Sequence, residues 1–455
     1  MPAPLLIDLL AEFVQSVSLP VTDSTRKTVR HSVIDTFGCI LAGVNEEAPV
    51  FARRALCSVS PGSSPIFGTA STAMPETAAF LNTLSGHSLD FDDWEIPGNS
   101  HSSVVIVPAL FAAAERPLDA QAMIEAYCVG FETIARLGEA VNFEHYAKGW
   151  HTTSTLATLG AAAAVCRLWR LDRQQTANAL SLGVSRAAGL TRQFGTHAKP
   201  LQAAFAAENG IRCARLARSG LTGQSHILEG RQGYLSLTGH GDAGRHLKPF
   251  EKLGHLLAID EYGQVIKPYP SCGYTHRVID GAIALRNAGI DSGNVVNISI
   301  QLPDFHSEIL PFTQPQDRRE ALFSLPYCAA MGLSRGGLGL DDLDSETWQD
   351  REVARLISLT TVHPFAPRRP DLNYDPEQPD IVEVETADGC RYAESVAYPC
   401  GSSENPLSES GLLEKFRRNA ARSRPLDDKK VEALVNWTDC ENILDVFNKA
   451  GVQHD

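Results

Sequence analysis

KPLQAAFAAENGIRCARLARSG, residues 199–220, decides the fold of the longer part of the chain. Pro200 suits a first helical turn, Gly220 suits a C-terminal cap, and Leu201, Phe205 and Leu216 mark apolar faces at helical spacing. Outward from it, as far as about residue 265, Ala-rich segments of the same periodicity occupy 24–43, 76–90, 103–115, 119–139, 152–168, 173–189 and 245–258. MPAPLLIDLLAEF at 1–13 reads as a first helix. The stretch TLATLGAAAAV, 155–165, removes side-chain bulk, so neighbouring helices can approach closely and the segment is expected deep in a bundle.

The pattern changes near residue 290. NVVNISIQL (294–302) alternates apolar and polar residues, and IVEVETADGCRYAESVAY (381–398) reads as two strands joined at Asp388-Gly389. PFAPRRPDLNYDPEQPD (364–380) is a Pro-rich loop. After GSSENPLS the amphipathic helical pattern returns at 411–422, 427–436 and 441–449. The expected fold is therefore mainly α: a large all-helical domain from both chain ends, 1–267 and 396–455, with a smaller α+β domain, 268–395, inserted between them.

A chain of 455 residues exceeds what one core usually organises, and 43% hydrophobic residues suffice for two. No apolar run of about 18 residues is present to span a bilayer, and the first residues lack the basic start of a secretory leader. Ten cysteines are scattered singly, which fits a reducing cytoplasm. The net charge of −14, without a basic stripe, argues against nucleic acid or an anionic membrane as partner. Zinc spacing, a P-loop, a dinucleotide fingerprint and an iron–sulfur pattern are missing, so no metal or organic cofactor is expected.

Four stretches concentrate ionisable side chains beside turn residues. HSLDFDDWEIPGNSHSS (87–103) sets Asp90, Asp92 and Asp93 before a Pro-Gly-Asn loop that ends at His101, a combination suited to general acid–base work. Asp92 or Asp93 can equally serve as turn caps, and three close carboxylates could hold a hard cation, although the periodicity of a calcium loop is absent. KGWHTTSTLATLG (148–160) puts His151 just before a helix start, where backbone N–H groups favour an anion; Thr152 or Thr153 can simply cap that helix. RQFGTHAKP (192–200) gathers Arg192, His197 and Lys199 ahead of a helix, a cluster that repels itself unless an anion compensates it. IKPYPSCGYTHRVIDGAI (266–283) carries Lys267, Cys272, Tyr274 and His276 around a turn at the domain junction. No acyl-transfer motif surrounds Cys272, which reads as a small pocket-lining group rather than a nucleophile.

Together these stretches resemble the MmgE/PrpD family, which includes 2-methylcitrate dehydratase, cis-aconitate decarboxylase and iminodisuccinate epimerase. HSLDFDD with its histidine loop, GWHTTSTLATLGAAAA, HAKPLQAAFAAENG, LEGRQGY, IKPYPSCGYTH, FSLPY and NPLS follow the family's order across residues 80–410. The resemblance implies a helical domain with an α+β lid, a homodimer, and an active site in the cleft between domains. It implies site positions at Asp90, His101, His151, Lys199, Lys267, Cys272 and Tyr327; Tyr327, in FSLPY, would otherwise read as core. Two departures bear on substrate choice: Trp94 stands where a small hydroxyl residue is common, and SHSS (100–103) replaces the usual His-Pro-Ser.

The residues and the resemblance suggest one chemistry on a small anionic polycarboxylate. A proton alpha to a carboxylate is very weakly acidic, so its removal needs a positioned base and cations that hold the doubled charge of the enediolate. Lys199 and Lys267 are the expected cations. His151, with Asp90 or His101, is the expected acid–base set, while Arg192, Cys272, Tyr327 and His276 are expected to bind substrate. The altered loop and Trp94 favour epimerisation of iminodisuccinate; dehydration of 2-methylcitrate, decarboxylation of cis-aconitate, or a polycarboxylate-binding protein without turnover are the alternatives.

Overall fold

The computed structural model describes residues 5–16, 18–239, 246–370 and 372–452. The chain divides into two compact units, one formed by Met1–Arg192, His197–Ile266 and Ser408–Asp455, the other by Gln193–Thr196 and Lys267–Leu407. Among the described residues no helix is long and apolar enough to cross a membrane.

The first unit is mainly helical; the expected all-helical reading is corrected by a short antiparallel ladder, Ser64–Pro65 against Thr72–Ala73. Its elements are α1 (Leu6–Val14), α2 (Asp23–Gly43), α3 (Glu47–Leu56), α4 (Pro75–His87), α5 (Ser102–Ala113), α6 (Ala120–Val141), α7 (Glu144–Ala147), α8 (Thr152–Trp169), α9 (Arg173–Val184) and α10 (Ala198–Arg218). Helices Glu409–Ser423, Asp428–Val435 and Ile443–Gly451 complete it from the C-terminal end. Local chemistry sets several starts: Thr22 and Thr25 form a reciprocal capping box on α2, Asp172 and Gln175 one on α9, and Asp119 caps α6.

Helix α8 is the centre of this unit, packed by α5, α6, α9 and α10 and buried from Thr152 to Cys166. The close approach is steric. A Cβ at Gly160 would collide with Ile134 of α6, and one at Gly210 with Ala161, so these crossings admit only the smallest residue.

The same packing corrects the expected faces of α10. Its Ala203, Ala204, Ala207, Gly210 and Ala214 turn inward, whereas Phe205 and Leu216 are 43% and 38% exposed. The segment 245–258 is also corrected: its first residue lies outside the described residues, and the rest holds a 3-10 turn at Lys248–Lys252 instead of a continuous helix, with the short helix Ala258–Tyr262 following. Pro249 and Gly254, the latter at φ 79°, interrupt the α-helical ladder.

The second unit contains a four-stranded sheet in the order β2-β1-β3-β4, from β1 (Val295–Pro303), β2 (Thr360–Phe365), β3 (Asp380–Thr386) and β4 (Arg391–Val396). Strands β3 and β4 form the expected hairpin, with Val384 opposite Tyr392 and Gly389 at φ 81° in the turn. β1 pairs antiparallel with β3, Ile300 opposite Val382, and parallel with β2, Ile298 opposite Thr360. Helix His276–Asn287 packs on β3 and β4 and against helix Leu325–Arg335.

Candidate active site

Three helix ends converge in the first unit. The last turn of α4 supplies His87, the loop that follows supplies Asp90, Asp92 and His101, His151 immediately precedes α8, and the first turn of α10 carries Lys199. His87, Asp90, Asp92, His151 and Lys199 are all buried.

The loop is built to hold these groups. Asp90 takes a left-handed φ of 48°, a conformation that aspartate tolerates better than most residues. Glu95 accepts from the backbone N–H of Gly98 at 2.7 Å and of Ser100 at 3.2 Å, and a side chain on Gly98 would strike that carboxyl group. Burial pushes Glu95 up to about 8, so at neutral pH it carries a proton more often than an ordinary glutamate. Trp94 pairs by backbone with Val265, and Thr152 and Thr153 bond the Asn99 carbonyl (2.5 Å) and the His101 N–H (3.1 Å). These threonines tie the loop to α8 instead of capping the helix.

A second buried layer lies behind the loop. Lys415, from the C-terminal part of the chain, donates to the Phe91 carbonyl at 2.7 Å and pairs with Asp35 at 2.6 Å. Burial disfavours its charge, but Asp35 outweighs this and raises the pKa. Ser103 donates to Asp93 at 2.6 Å and meets the Tyr127 hydroxyl at 2.6 Å; burial, reinforced by Asp35, pushes Asp93 up to about 7.

Within this frame Asp92 faces two imidazoles: it accepts from Nδ1 of His87 at 2.9 Å and pairs with Nδ1 of His101 at 3.0 Å. Burial alone would raise its pKa, but the two rings reverse that and hold it well below the usual carboxylate range. Nε2 of His101 faces Asp90 at 3.7 Å, and Lys199 Nζ sits 2.7 Å from the same carboxylate oxygen. The His87 ring lies between the other two, 4.5 Å from His101 and 6.3 Å from His151 by centroids. Burial lowers the pKa of His87; burial, Lys199 and His87 lower that of His151 well below the ordinary value. Both rings are neutral near pH 7, as a general base must be.

His151, Asp90, His101 and Lys199 are thus brought together. The expected self-repelling cluster at 192–199 does not form: Lys199 pairs with Asp90, His197 lies 3.2 Å from Glu47, and Arg192 is exposed in a 3-10 turn. Lys267, Cys272, His276 and Tyr327 belong to the second unit and are buried there. In it the Cys272 N–H bonds the Leu322 carbonyl at 2.9 Å, and the Tyr327 hydroxyl meets Thr347 at 2.8 Å. His87 was missed by sequence reasoning and Asp92 was left as an acid or a turn cap; the His-x₄-Asp spacing across a helix end was the available signal.

Ligand-type atoms of His87, Asp90, Asp92 and His101 lie within 4.8 Å of one another, so this donor set could hold a divalent cation. Lys199 already places a fixed positive charge on Asp90.

Two family models cover the chain: the MmgE/PrpD N-terminal domain matches residues 8–245 and the MmgE/PrpD C-terminal domain residues 269–439. The chain belongs to the MmgE/PrpD family. Within it, cis-aconitate decarboxylase of Mus musculus is 28% identical over 95% of this chain and 91% of its own length. The Homo sapiens cis-aconitate decarboxylase is 28% identical over 91% and 87%, and that of Aspergillus terreus 25% over 92% and 91%.

Proposed function

We propose that this MmgE/PrpD protein is a cofactor-independent lyase that moves a proton at a carbon next to a carboxylate of a small unsaturated polycarboxylate, with decarboxylation of a cis-aconitate-like substrate as the favoured outcome. The observation that carries the acid–base part is the set of three imidazoles, His87 and His151 buried and His101 partly exposed, against Asp92, Asp90 and Lys199. The relatives named above turn the reading from epimerisation toward carbon–carbon cleavage.

In that reaction the bond to the leaving carboxylate breaks and carbon dioxide departs, the pair left behind forms a new carbon–carbon double bond, and the π pair of the old double bond moves to the far vinylic carbon, where it takes a proton. His101, whose ring nitrogens face two carboxylates, is the proposed proton donor, and His151 the base that takes up from solvent the proton the reaction consumes. Lys199 stabilises charge that develops on the substrate carboxylate. A bound polyanion opposes the burial that keeps His151 neutral and lets the ring accept the proton.

Trp94 favours a second reading. It is buried at 3% exposure in the position where the family resemblance leads one to expect a small hydroxyl residue, a change of pocket shape away from the decarboxylase pattern that would suit epimerisation of a different polycarboxylate such as iminodisuccinate. Incubation with cis-aconitate, 2-methylcitrate and iminodisuccinate stereoisomers, each followed by proton NMR, separates the outcomes: loss of carbon dioxide from cis-aconitate supports the lyase reading, and interconversion of iminodisuccinate isomers alone replaces it.

A further inference from the structure

From the hydrogen-bond pattern around His151 we infer that Gln202 is a positioning residue that sets which ring nitrogen of His151 can act as base. This rests on the acid–base reading of the site. Nδ1 of His151 lies 2.7 Å from Oε1 of Gln202, and Nε2 of Gln202 donates to the Leu190 carbonyl at 3.2 Å. A carbonyl oxygen can only accept. Turning the amide over would set its NH₂ against Nδ1 and its oxygen against the Leu190 oxygen, losing one bond and creating a repulsion. The Leu190 carbonyl therefore fixes the amide, and the amide requires a proton on Nδ1.

A neutral imidazole carries one proton. With that proton on Nδ1, the lone pair is on Nε2, the arrangement a general base needs. Gln202 also does this without charge. A carboxylate in its place would favour the imidazolium and narrow the pH range over which His151 is a base.

The surroundings hold Gln202 for this task. Ser154 Oγ donates to its backbone carbonyl at 3.0 Å, and the His151 N–H bonds the Gly189 carbonyl at 3.0 Å, next to the residue that orients the amide. Gly189 has φ 136°, and a Cβ there would come within 3.1 Å of the Gln202 amide, so the backbone reaches the amide only because this residue is glycine. Gln202 is half-buried, and substitution there leaves the buried core intact.

The test uses the full chain labelled with ¹⁵N-histidine, the His151 signals being assigned by difference from His151→Gln. In the parent, His151 is expected as the Nδ1–H tautomer. Gln202→Leu removes the acceptor: Nε2–H should appear, and kcat should fall at least about tenfold with KM within about twofold, a part of the hundredfold or more that one acid–base group supplies. Gln202→Glu keeps the acceptor and adds charge: the tautomer should persist, and the acidic limb of the kcat profile should move up by about one pH unit or more. An unchanged His151 tautomer in Gln202→Leu, or an unmoved acidic limb in Gln202→Glu, overturns the assignment. The tautomer readout needs no turnover, so an inactive parent would defeat the functional reading while still deciding the role of Gln202.

Discussion

Asp92→Asn removes one charge and almost no volume from the centre of the site. The Asp92 carboxylate accepts from Nδ1 of His87 at 2.9 Å and pairs with Nδ1 of His101 at 3.0 Å. An asparagine offers one carbonyl oxygen and one NH₂, so it can accept from only one of those rings. The other ring must turn its Nδ1 lone pair toward the NH₂ and move its proton to Nε2. If that ring is His101, it no longer faces the two carboxylates between which the proposed proton donor sits, and turnover should fall by about 10² to 10⁴, the range for one general acid–base group and for a triad aspartate replaced by asparagine. The stability cost is smaller. A hydrogen bond from His87 to a buried charge becomes a neutral one and the ion pair with His101 is lost, while the burden of burying a charge disappears, so a net loss of under about 3 kcal/mol is expected. Steady-state kinetics beside urea unfolding separates the two effects. A folded Asp92→Asn protein with kcat within threefold of the parent would refute the role given to this carboxylate.

Three further outcomes follow from the geometry. His151 is held neutral by burial, so its folded pKa lies below the ordinary 6.5 and the unfolded chain takes up the proton first as pH falls. Its stabilising contribution is complete above pH 6.5 and is lost below it at about 1.4 kcal/mol per pH unit. Urea unfolding should therefore show His151→Gln losing stability less steeply than the parent between pH 6.5 and 5; equal slopes would mean the ring is not held neutral. Lys415→Met should cost about 3–5 kcal/mol by stranding the buried Asp35, and adding Asp35→Asn should recover part of it; no recovery in thermal melts would mean that the pair is not coupled. The half-exposed Phe205 and Leu216 on α10 suit a partner surface, and sedimentation is expected to give a homodimer; a stable monomer at micromolar concentration would count against it.

The helices of the first unit were legible because periodicity and turn residues agreed there, as in α2, α6, α8 and α10. The inward face of α10 was not, because alanine carries little hydrophobic signal and only the helices packed on it, α4, α5, α8 and α9, show which side is covered. Strand β2 was hidden for a related reason: TTVHPF contains Pro364, and its parallel partner lies some 60 residues away in sequence. Of the site, Asp90, His101, His151 and Lys199 stood out as ionisable groups at element ends. His87 did not, since a histidine closing a helix looks like any other polar helix end until Asp92 is found against it. Gln202 and Lys415 acquire their roles only from contacts 51 and 324 residues distant in sequence, which no local pattern reveals.

The most direct test of acid–base chemistry by the chain's own side chains is NMR in deuterated water on metal-stripped protein, comparing the parent with His151→Gln on cis-aconitate and iminodisuccinate. The parent should place deuterium at a carbon adjacent to a carboxylate without any added metal or cofactor, and His151→Gln should slow this by about a hundredfold or more. No incorporation by the parent with either compound, incorporation only after a metal is restored, or equal incorporation by the two proteins would contradict it.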